Sequence, residues 1–192
     1  MTWTGTTVLT TPRLTLRCFK EDDLALYAAL NTDPEVVEHL GGPVTREYTE
    51  EIADWANGLY LREGIGLLAV ERSDDAAFLG MCGLHHLEAY PDDIEIAWRF
   101  ARPHWGHGYA TEAALAWLNY GFDVKKLSRV ISVTEQINVR SLGVMRRLGM
   151  KFDHEARIQE EGMEFDVVVY SINAERHASQ TSSSPRTNES RE

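Results

Sequence analysis

The chain has 192 residues, of which 43% are hydrophobic and 26% charged, and this composition is typical of one globular domain. It carries 19 Lys and Arg against 30 Asp and Glu, so its formal net charge is −11. A strongly acidic surface repels phosphate backbones, which disfavours a nucleic-acid-coating protein. The sequence contains no apolar run of membrane-spanning length, and its polar start does not resemble a signal peptide. We therefore expect a cytoplasmic protein without a membrane partner.

Hydrophobic periodicity predicts a mixed sheet covered by helices on both faces. The expected strands lie at 13–19, 66–71, 78–86, 94–100, 130–133, 150–158 and 163–172. The expected helices lie at 22–30, 45–64, 109–122 and 138–148. Residues 1–9 are interpreted as a short arm. No large apolar residue follows Ala174, so residues 1–173 are expected to form a single domain and residues 174–192 a disordered tail.

Cysteine and histidine positions favour neither a disulfide nor a metal site. Cys18 and Cys82 lie in apolar strand-like segments without a C-x-x-C partner, so both are expected to be reduced core residues. His85 and His86 point to opposite faces of their strand and cannot easily share one ion. We therefore predict no metal.

The most informative segment is the loop Trp105-Gly106-His107-Gly108-Tyr109-Ala110-Thr111, between a strand and a helix. Its two glycines let the backbone turn so that N–H groups converge, and the following helix adds unsatisfied amides and the positive end of its dipole. This arrangement suits a pyrophosphate. The loop lacks the third glycine of a dinucleotide fold and the Gly-Lys-Ser/Thr ending of a P-loop.

The run RPHWGHGYATEA at 102–113 resembles the coenzyme A loop of the GNAT acetyltransferase superfamily, especially its ribosomal-protein N-terminal (serine/alanine) acetyltransferase branch. Further segments match in the same order: TPRLTLR at 11–17, EIAW at 95–98, NVRS at 138–141 and RLGM at 147–150. Several motifs in a consistent order are harder to meet by chance than one. The resemblance covers residues 9–172.

The resemblance implies an α+β fold: a seven-stranded mixed sheet splayed between its fourth strand, 94–100, and its fifth, 130–133. It also implies that acetyl-CoA binds in the split as the acetyl donor. The cofactor-binding residues on the matched positions are Phe100, Gly106, His107, Gly108, Tyr109, Ala110, Thr111 and Asn138. The implied activity is transfer of the acetyl group to a primary amine, either a protein N-terminus or a small molecule. Whether the protein forms a homodimer is left open.

Two residues are candidate catalytic groups. Glu95 lies between two isoleucines on a central strand, where partial desolvation makes a carboxylate a better general base; the alternative is a structural carboxylate paired with Arg99 or another cation. Met145 stands where many superfamily members have a proton-donating tyrosine, so the Ser141 hydroxyl is the candidate acid. The alternative for Ser141 is a hydrogen bond to its own helical turn.

The candidate acceptor-binding residues are Trp98 and His86, with His85 as an alternative to His86 and a purely structural role open for each. Arg99 stands where an apolar residue is commoner in the superfamily. Charge is also uneven along the chain: ten carboxylates and one cation lie between residues 21 and 54, and seven cations and one carboxylate between 125 and 151. The interpretation is that the basic half meets coenzyme A phosphates and the acidic half attracts a cationic acceptor, against the alternative of two solvated helix faces.

Two rival functions stay open. A non-catalytic acyl-CoA-binding sensor or scaffold would keep the loop and lose the base and the acid. A nucleotide-binding protein would use the same loop for ATP, but the missing P-loop lysine argues against it.

Overall fold

The computed structural model describes residues 3–160 and 162–183. Its strands are β1 (Thr7–Thr10), β2 (Leu14–Arg17), β3 (Leu67–Arg72), β4 (Phe78–Leu87), β5 (Tyr90–Phe100), β6 (Arg129–Thr134), β7 (Lys151–Glu160) and β8 (Met163–Asn173). Its α-helices are α1 (Asp23–Thr32), α2 (Pro34–Val37), α3 (Arg46–Glu63), α4 (Tyr109–Asp123), α5 (Val139–Arg147) and α6 (Ala174–Ser183). In this part of the chain no helix is long and apolar enough to span a bilayer.

One sheet runs through the molecule in the order β1-β2-β3-β4-β5-β6-β8-β7. Neighbouring strands are antiparallel except β5 and β6, which are parallel and share only the pairs Ile94↔Val130 and Glu95↔Ile131. Beyond Glu95 the two strands separate, while β5 stays paired to β4 as far as Phe100. The predicted splay between the strands at 94–100 and 130–133 is therefore confirmed.

The sheet has eight strands where the resemblance implied seven. The additional strand is β1, which pairs with β2 through Leu9↔Leu16 and Thr10↔Thr15, so the expectation of a short arm is wrong for residues 7–9. The strand is short and rich in threonine, and its sequence signal is correspondingly weak. Val8 and Leu9 nevertheless pack against the main core, and their burial explains why the segment is ordered.

Helices cover both faces of the sheet, as predicted. On one face α4 and α5 pack on the larger core, with Trp117 and Met145 fully buried. On the other face α1 and α3 pack on a smaller core that contains Phe19 and Tyr27, whose rings stack at 4.9 Å. Cys18 and Cys82 are both buried free thiols in the larger core, as the sequence predicted.

The expectation of a disordered tail from Ala174 is wrong for residues 174–183, which form α6. His177 is 5% exposed; its Nε2 donates to the Asn119 Oδ1 atom at 2.7 Å, and its ring lies 5.0 Å from that of Phe122. Arg176 donates to the Gly149 carbonyl at 2.8 Å. A histidine and an arginine dock this helix in place of aliphatic residues, so the apolar periodicity was absent. The tail prediction for residues 184–192 lies outside the described residues.

Candidate active site

The split between β5 and β6 opens into two cavities that meet. The loop cavity, about 600 Å³, is lined by the Trp105–Thr111 segment and α5. The inner cavity, about 210 Å³, is lined by side chains of the sheet, including Glu95 and His85, and by Met145. Both cavities are lined by His39, Leu40, Trp98, Arg99, Asn138 and Ser141, which mark the junction.

The glycine loop has the backbone conformation that its sequence predicts. Gly106 and Gly108 have φ values of +79° and +81°, a left-handed region that residues with a Cβ rarely adopt. Gly108 precedes α4 without a side-chain cap, and the helical ladder begins only with the Glu112 N–H donating to the Gly108 carbonyl at 3.0 Å. The amides of residues 109–111 therefore have no intrahelical acceptor and lie at the wall of the loop cavity.

Thr11 and Arg13, just before β2, hold this loop through Glu112 of α4, and we call these three residues the clamp. Glu112 Oε1 accepts from the Thr11 hydroxyl at 2.6 Å and from the Arg13 N–H at 3.0 Å, while its Oε2 accepts from Arg13 Nε at 2.6 Å. Arg13 Nη1 also donates to the His107 carbonyl at 3.1 Å. Burial acts to raise the pKa of Glu112, but the hydrogen bonds from Thr11 and Arg13 outweigh it and lower that pKa. The TPRL motif thus positions the loop.

Two cations of the basic segment reach the loop cavity. The Arg140 guanidinium lies 4.4 Å from the centroid of the Trp105 ring, and Arg147 Nε donates to the Thr111 hydroxyl at 3.2 Å. Both arginines line the cavity. Sequence reasoning noted the cluster of positive charge but did not single out these two residues.

Asn138 and Ser141 lie together at the junction of the cavities. The Asn138 Oδ1 atom accepts from the Ser141 N–H at 3.1 Å and so caps α5. Because the cap uses the oxygen, the amide nitrogen of Asn138 is left as a donor. Ser141 is partly buried and lines both cavities.

Glu95 lies where the β5–β6 ladder ends. Its side chain is 9% exposed, and its Oε1 accepts at 3.0 Å from the N–H of Val133, a β6 residue beyond the last ladder pair. Its Oε2 lies 3.1 Å from His85 Nε2. Glu95 therefore pairs with a histidine and a backbone amide, and the sequence alternative of a pair with Arg99 is not what the structure contains.

His85 and Glu95 share one proton position. A carbonyl oxygen can only accept, so the contact of 2.9 Å between His85 Nδ1 and the His86 carbonyl makes Nδ1 the donor. In a neutral imidazole the Nε2 atom that faces Glu95 then carries no hydrogen. A hydrogen bond between Nε2 and Oε2 therefore needs one further proton, on one atom or the other.

His86, the histidine first chosen for acceptor binding, lines neither cavity. His86 is exposed, and its Nε2 pairs with Glu63 at 2.8 Å, away from both cavities. The side chains of adjacent strand residues alternate between faces, so His85 occupies the inner cavity instead.

The remaining predicted residues divide between the cavities and the surface. Phe100 lines the loop cavity, and its carbonyl accepts from Trp105 Nε1 at 2.7 Å. Trp98 lies at the junction. His107 is exposed outside the cavity lining: its ring stacks on Tyr109 at 5.7 Å, and its carbonyl is turned to Arg13.

Known proteins resemble this chain over most of its length. Residues 13–151 match the family described as acetyltransferase (GNAT) domain. The chain belongs to the GNAT acetyltransferase family. It is 33% identical over 153 residues to the protein YkkB of Bacillus subtilis, covering 79% of this chain and 89% of YkkB. It is 27% identical over 168 residues to the N-acetyltransferase p20 of Bacillus licheniformis, covering 85% and 94%.

Solved structures agree with this family assignment. A GNAT-family acetyltransferase from Bacillus anthracis superposes with a TM-score of 0.75 at 26% identity, covering 87% of this chain and 98% of that one. RimL, a ribosomal L7/L12 α-N-protein acetyltransferase solved with coenzyme A, superposes with a TM-score of 0.70 at 17% identity, covering 87% and 97%. The likeness to RimL is one of fold. The protein is accordingly an acetyltransferase of the GNAT fold.

One further segment of this GNAT domain, residues 34–40, was missed by sequence reasoning. It crosses the junction and contacts both sides of it. Glu35 pairs with Arg102 after β5, and Glu38 pairs with Arg140 on α5. His39 Nδ1 lies 2.6 Å from the Glu135 carboxylate. These contacts join residues 67 to 102 positions apart, and no local pattern shows them.

Ion pairs within the chain weaken the hypothesis that the acidic segment, residues 21–54, attracts a cationic acceptor. Within residues 21–54, carboxylates of Asp23, Asp33, Glu35, Glu38 and Glu50 pair with cations of this chain. Paired carboxylates contribute little attraction to an approaching cation. Charge counting along the sequence therefore overstated the acidity of this face.

Proposed function

We propose that the protein is an acetyl-CoA-dependent N-acetyltransferase that acts on a primary amine. One observation carries this proposal: a backbone-lined cavity at a helix N-terminus opens directly onto an inner cavity that contains the buried carboxylate Glu95. The hydroxyl-bearing Ser141 lies between them. A donor and an acceptor bound in the two cavities would meet at the junction.

The residues of the loop cavity fit a coenzyme A group. The amides of residues 109–111 suit a pyrophosphate, since they lack intrahelical acceptors and lie at the positive end of α4. Arg140 and Arg147 add positive charge, and Asn138 offers an amide donor to the pantetheine arm. Trp98 and Phe100 supply the apolar wall. Bound acetyl-CoA would supply the acetyl group as a reactive thioester.

Three residues of the chain would move protons. Only the neutral amine attacks a thioester, so the acceptor must first lose a proton, which Glu95 would take together with His85. The new carbon–nitrogen bond forms as the carbon–sulfur bond breaks. The Ser141 hydroxyl would give its proton to the departing thiolate and regain one from the nitrogen, which loses its second proton as the amide forms, while backbone N–H groups at the splayed strand would polarise the carbonyl.

A two-stage assay tests the proposal. Acetyl-CoA and CoA should raise the melting temperature, because a ligand at a hundred times its Kd stabilises a protein by about 2.7 kcal/mol. ATP at the same concentration should not. A panel of primary amines is then assayed for thiol release. Stabilisation by acetyl-CoA with no turnover on any amine would favour the non-catalytic alternative, and stabilisation by ATP alone would refute both.

A further inference from the structure

Arg99 is a cation at the junction of the two cavities, and among the residues that the structure describes it has no anionic partner. It lies on β5, partly buried, and its Nη1 donates to the neutral Asn31 Oδ1 atom at 2.6 Å. Its Nε atom is buried without a hydrogen-bond partner among residues 3–160 and 162–183. A guanidinium has five donor hydrogens, and an incompletely paired one favours an anion.

Two other arginines of the chain, Arg17 and Arg102, form ion pairs and can be compared with Arg99. Arg17, on β2, is 4% exposed and holds two carboxylates, Asp23 at 2.6 Å and Glu71 at 2.8 Å. Arg102, three residues after Arg99, pairs with Asp33 and Glu35. Arg99 differs from both, because in the described part of the chain it forms no ion pair.

The contacts of Arg99 orient it without neutralising it. Asn31 is fully buried, and its Nδ2 donates to the Thr49 hydroxyl at 3.0 Å, which fixes the oxygen that Arg99 uses. Tyr27 contacts the same amide, and burial raises the pKa of its phenol although the positive charge of Arg99 opposes that shift. Asn31 and Tyr27 are therefore neutral neighbours of Arg99. They hold the guanidinium in place and leave its charge for a ligand.

Arg99 and Glu95 provide opposite charges for one bound molecule. Both side chains lie on the same face of β5, because residues four apart on a strand point the same way, and their Cα atoms are about 13 Å apart along it. Both line the inner cavity. Its volume of about 210 Å³ is below the roughly 300–1,000 Å³ typical of drug-sized ligand sites. A small molecule with an amine at one end and an anion at the other fits this pattern.

The anion that suits the cavity best is a carboxylate. A guanidinium binds carboxylate and phosphate equally well in geometry. Arg99 is the only arginine or lysine among the inner-cavity residues in the described part of the chain, and it shares that cavity with the carboxylates Glu95 and Glu135. A single guanidinium balances the one charge of a carboxylate better than the two charges of a phosphate dianion.

We propose that the acceptor is a free amino acid or a closely related aminocarboxylate, and that Arg99 binds its carboxylate while its amine faces Glu95. This inference rests on the proposed acetyl transfer to an amine. It makes Arg99 a specificity-determining residue. It also distinguishes a free amino acid from a protein N-terminus, whose first residue carries an amide in place of that carboxylate.

Matched acceptors test the inference by thiol release. The probes are L-phenylalanine, its amide and 2-phenylethylamine, with L-leucine, its amide and 3-methylbutylamine as a second set. For the wild-type protein, kcat/KM should be at least 30-fold higher for an amino acid than for its amide or its decarboxylated amine. Arg99→Met should reduce that ratio to below threefold, mainly by raising the KM of the amino acid, while activity on the plain amine changes little. Arg99→Lys should give an intermediate ratio, because the positive charge is kept but the paired N–H donors of the guanidinium are lost.

Arg102→Met is the matched control. Arg102 lies outside both cavity linings, so its substitution should leave the ratio at the wild-type value. Melting temperature and acetyl-CoA affinity report whether each variant is folded. Equal turnover of amino acid, amide and amine by the wild type, or an unchanged ratio in a folded Arg99→Met, would overturn the inference and leave acetyl transfer standing. Acetyl-CoA binding without turnover of any probe in either set would overturn both proposals.

Discussion

The loop cavity and the inner cavity are built in different ways. The loop cavity draws its principal groups from two short segments, 105–111 and 138–147, and many of these groups are backbone amides. The inner cavity is assembled from side chains of β4, β5, β6, α3, α5 and the β7–β8 hairpin. A site made of backbone depends on a few glycines, whereas a site made of side chains can change its specificity by single substitutions. The two cavities should therefore respond differently to mutation.

The largest difference between the effect on catalysis and the effect on acetyl-CoA binding should come from Glu95→Gln. The amide keeps the shape and can still accept from the Val133 N–H, but it cannot take a proton. We expect kcat/KM to fall by about 10²- to 10⁴-fold, while the Kd for acetyl-CoA stays within about twofold. Steady-state kinetics and calorimetric titration measure the two effects.

The chain contains a matched control for that variant. Glu63 is an exposed glutamate that pairs with His86, next to His85 on the same strand. Glu63→Gln removes the same charge from a histidine pair outside the cavities and should leave kcat/KM within about twofold. Wild-type rates from a folded Glu95→Gln at every pH would show that Glu95 is structural.

Ser141→Ala probes the junction between the cavities. The hydroxyl is removed, but the backbone N–H that Asn138 caps is kept, so α5 should remain intact. We expect kcat to fall by about 10²-fold with little change in acetyl-CoA affinity. Ser141→Thr keeps a hydroxyl and should recover part of the rate. A fully active Ser141→Ala would mean that water or another group protonates the thiolate.

A substitution in the loop cavity should weaken acetyl-CoA binding more than it slows the chemical step. Gly106→Glu introduces a negative charge and a side chain into the lining of the cavity. We expect the Kd for acetyl-CoA to rise at least tenfold, which is about 1.4 kcal/mol. Equilibrium titration of the folded variant measures the change.

Gly162→Glu separates backbone strain from the effect on the ligand. Gly162 has φ +78° against +79° for Gly106, and neither has an atom within 4 Å of an added Cβ, so both substitutions carry the same strain. Gly162 lies in the β7–β8 turn, outside the loop cavity. Its variant should keep wild-type affinity, and equal losses in the two variants would refute the assignment of the loop.

The same contrast explains what could be predicted from the sequence. The strands, the long helices and the glycine loop carry local signals: alternation, 3.6-residue periodicity, and Thr45 and Gly64 at the ends of α3. His85 required a choice between two adjacent strand faces, which the sequence of that strand alone does not decide. The ties of Glu35 and Glu38 to Arg102 and Arg140 depend on packing between distant segments.

The helix α6 illustrates a second limit. Its docking depends on polar contacts made by His177 and Arg176. A composition of serine, arginine and glutamate predicts disorder when no apolar stripe is present. Such contacts become visible only when the acceptor atoms, Asn119 Oδ1 and the Gly149 carbonyl, have been positioned by the rest of the fold.

The smallest effect we expect comes from the clamp that holds the glycine loop. Glu112→Gln removes the charge that Arg13 and Thr11 contact, so the loop should loosen and the Kd for acetyl-CoA should rise about threefold. The free energy of unfolding should fall by about 1 kcal/mol at pH 7, since Arg13 is half exposed and solvent screens part of the attraction. Glu155→Gln, on an exposed strand position, is the control.

The pH dependence of that stability difference is a sharper test of the clamp. The folded pKa of Glu112 lies below its ordinary value, so the unfolded chain takes up the proton first as the pH falls. The stabilisation by the clamp is therefore complete above the unfolded pKa of about 4.3 and is lost as the pH falls through the folded pKa. Denaturation curves should show a constant gap between the wild type and Glu112→Gln from pH 8 to about 5, and a closing gap below about pH 4. A gap that does not change across this range would mean that the Glu112 charge contributes nothing to holding the loop.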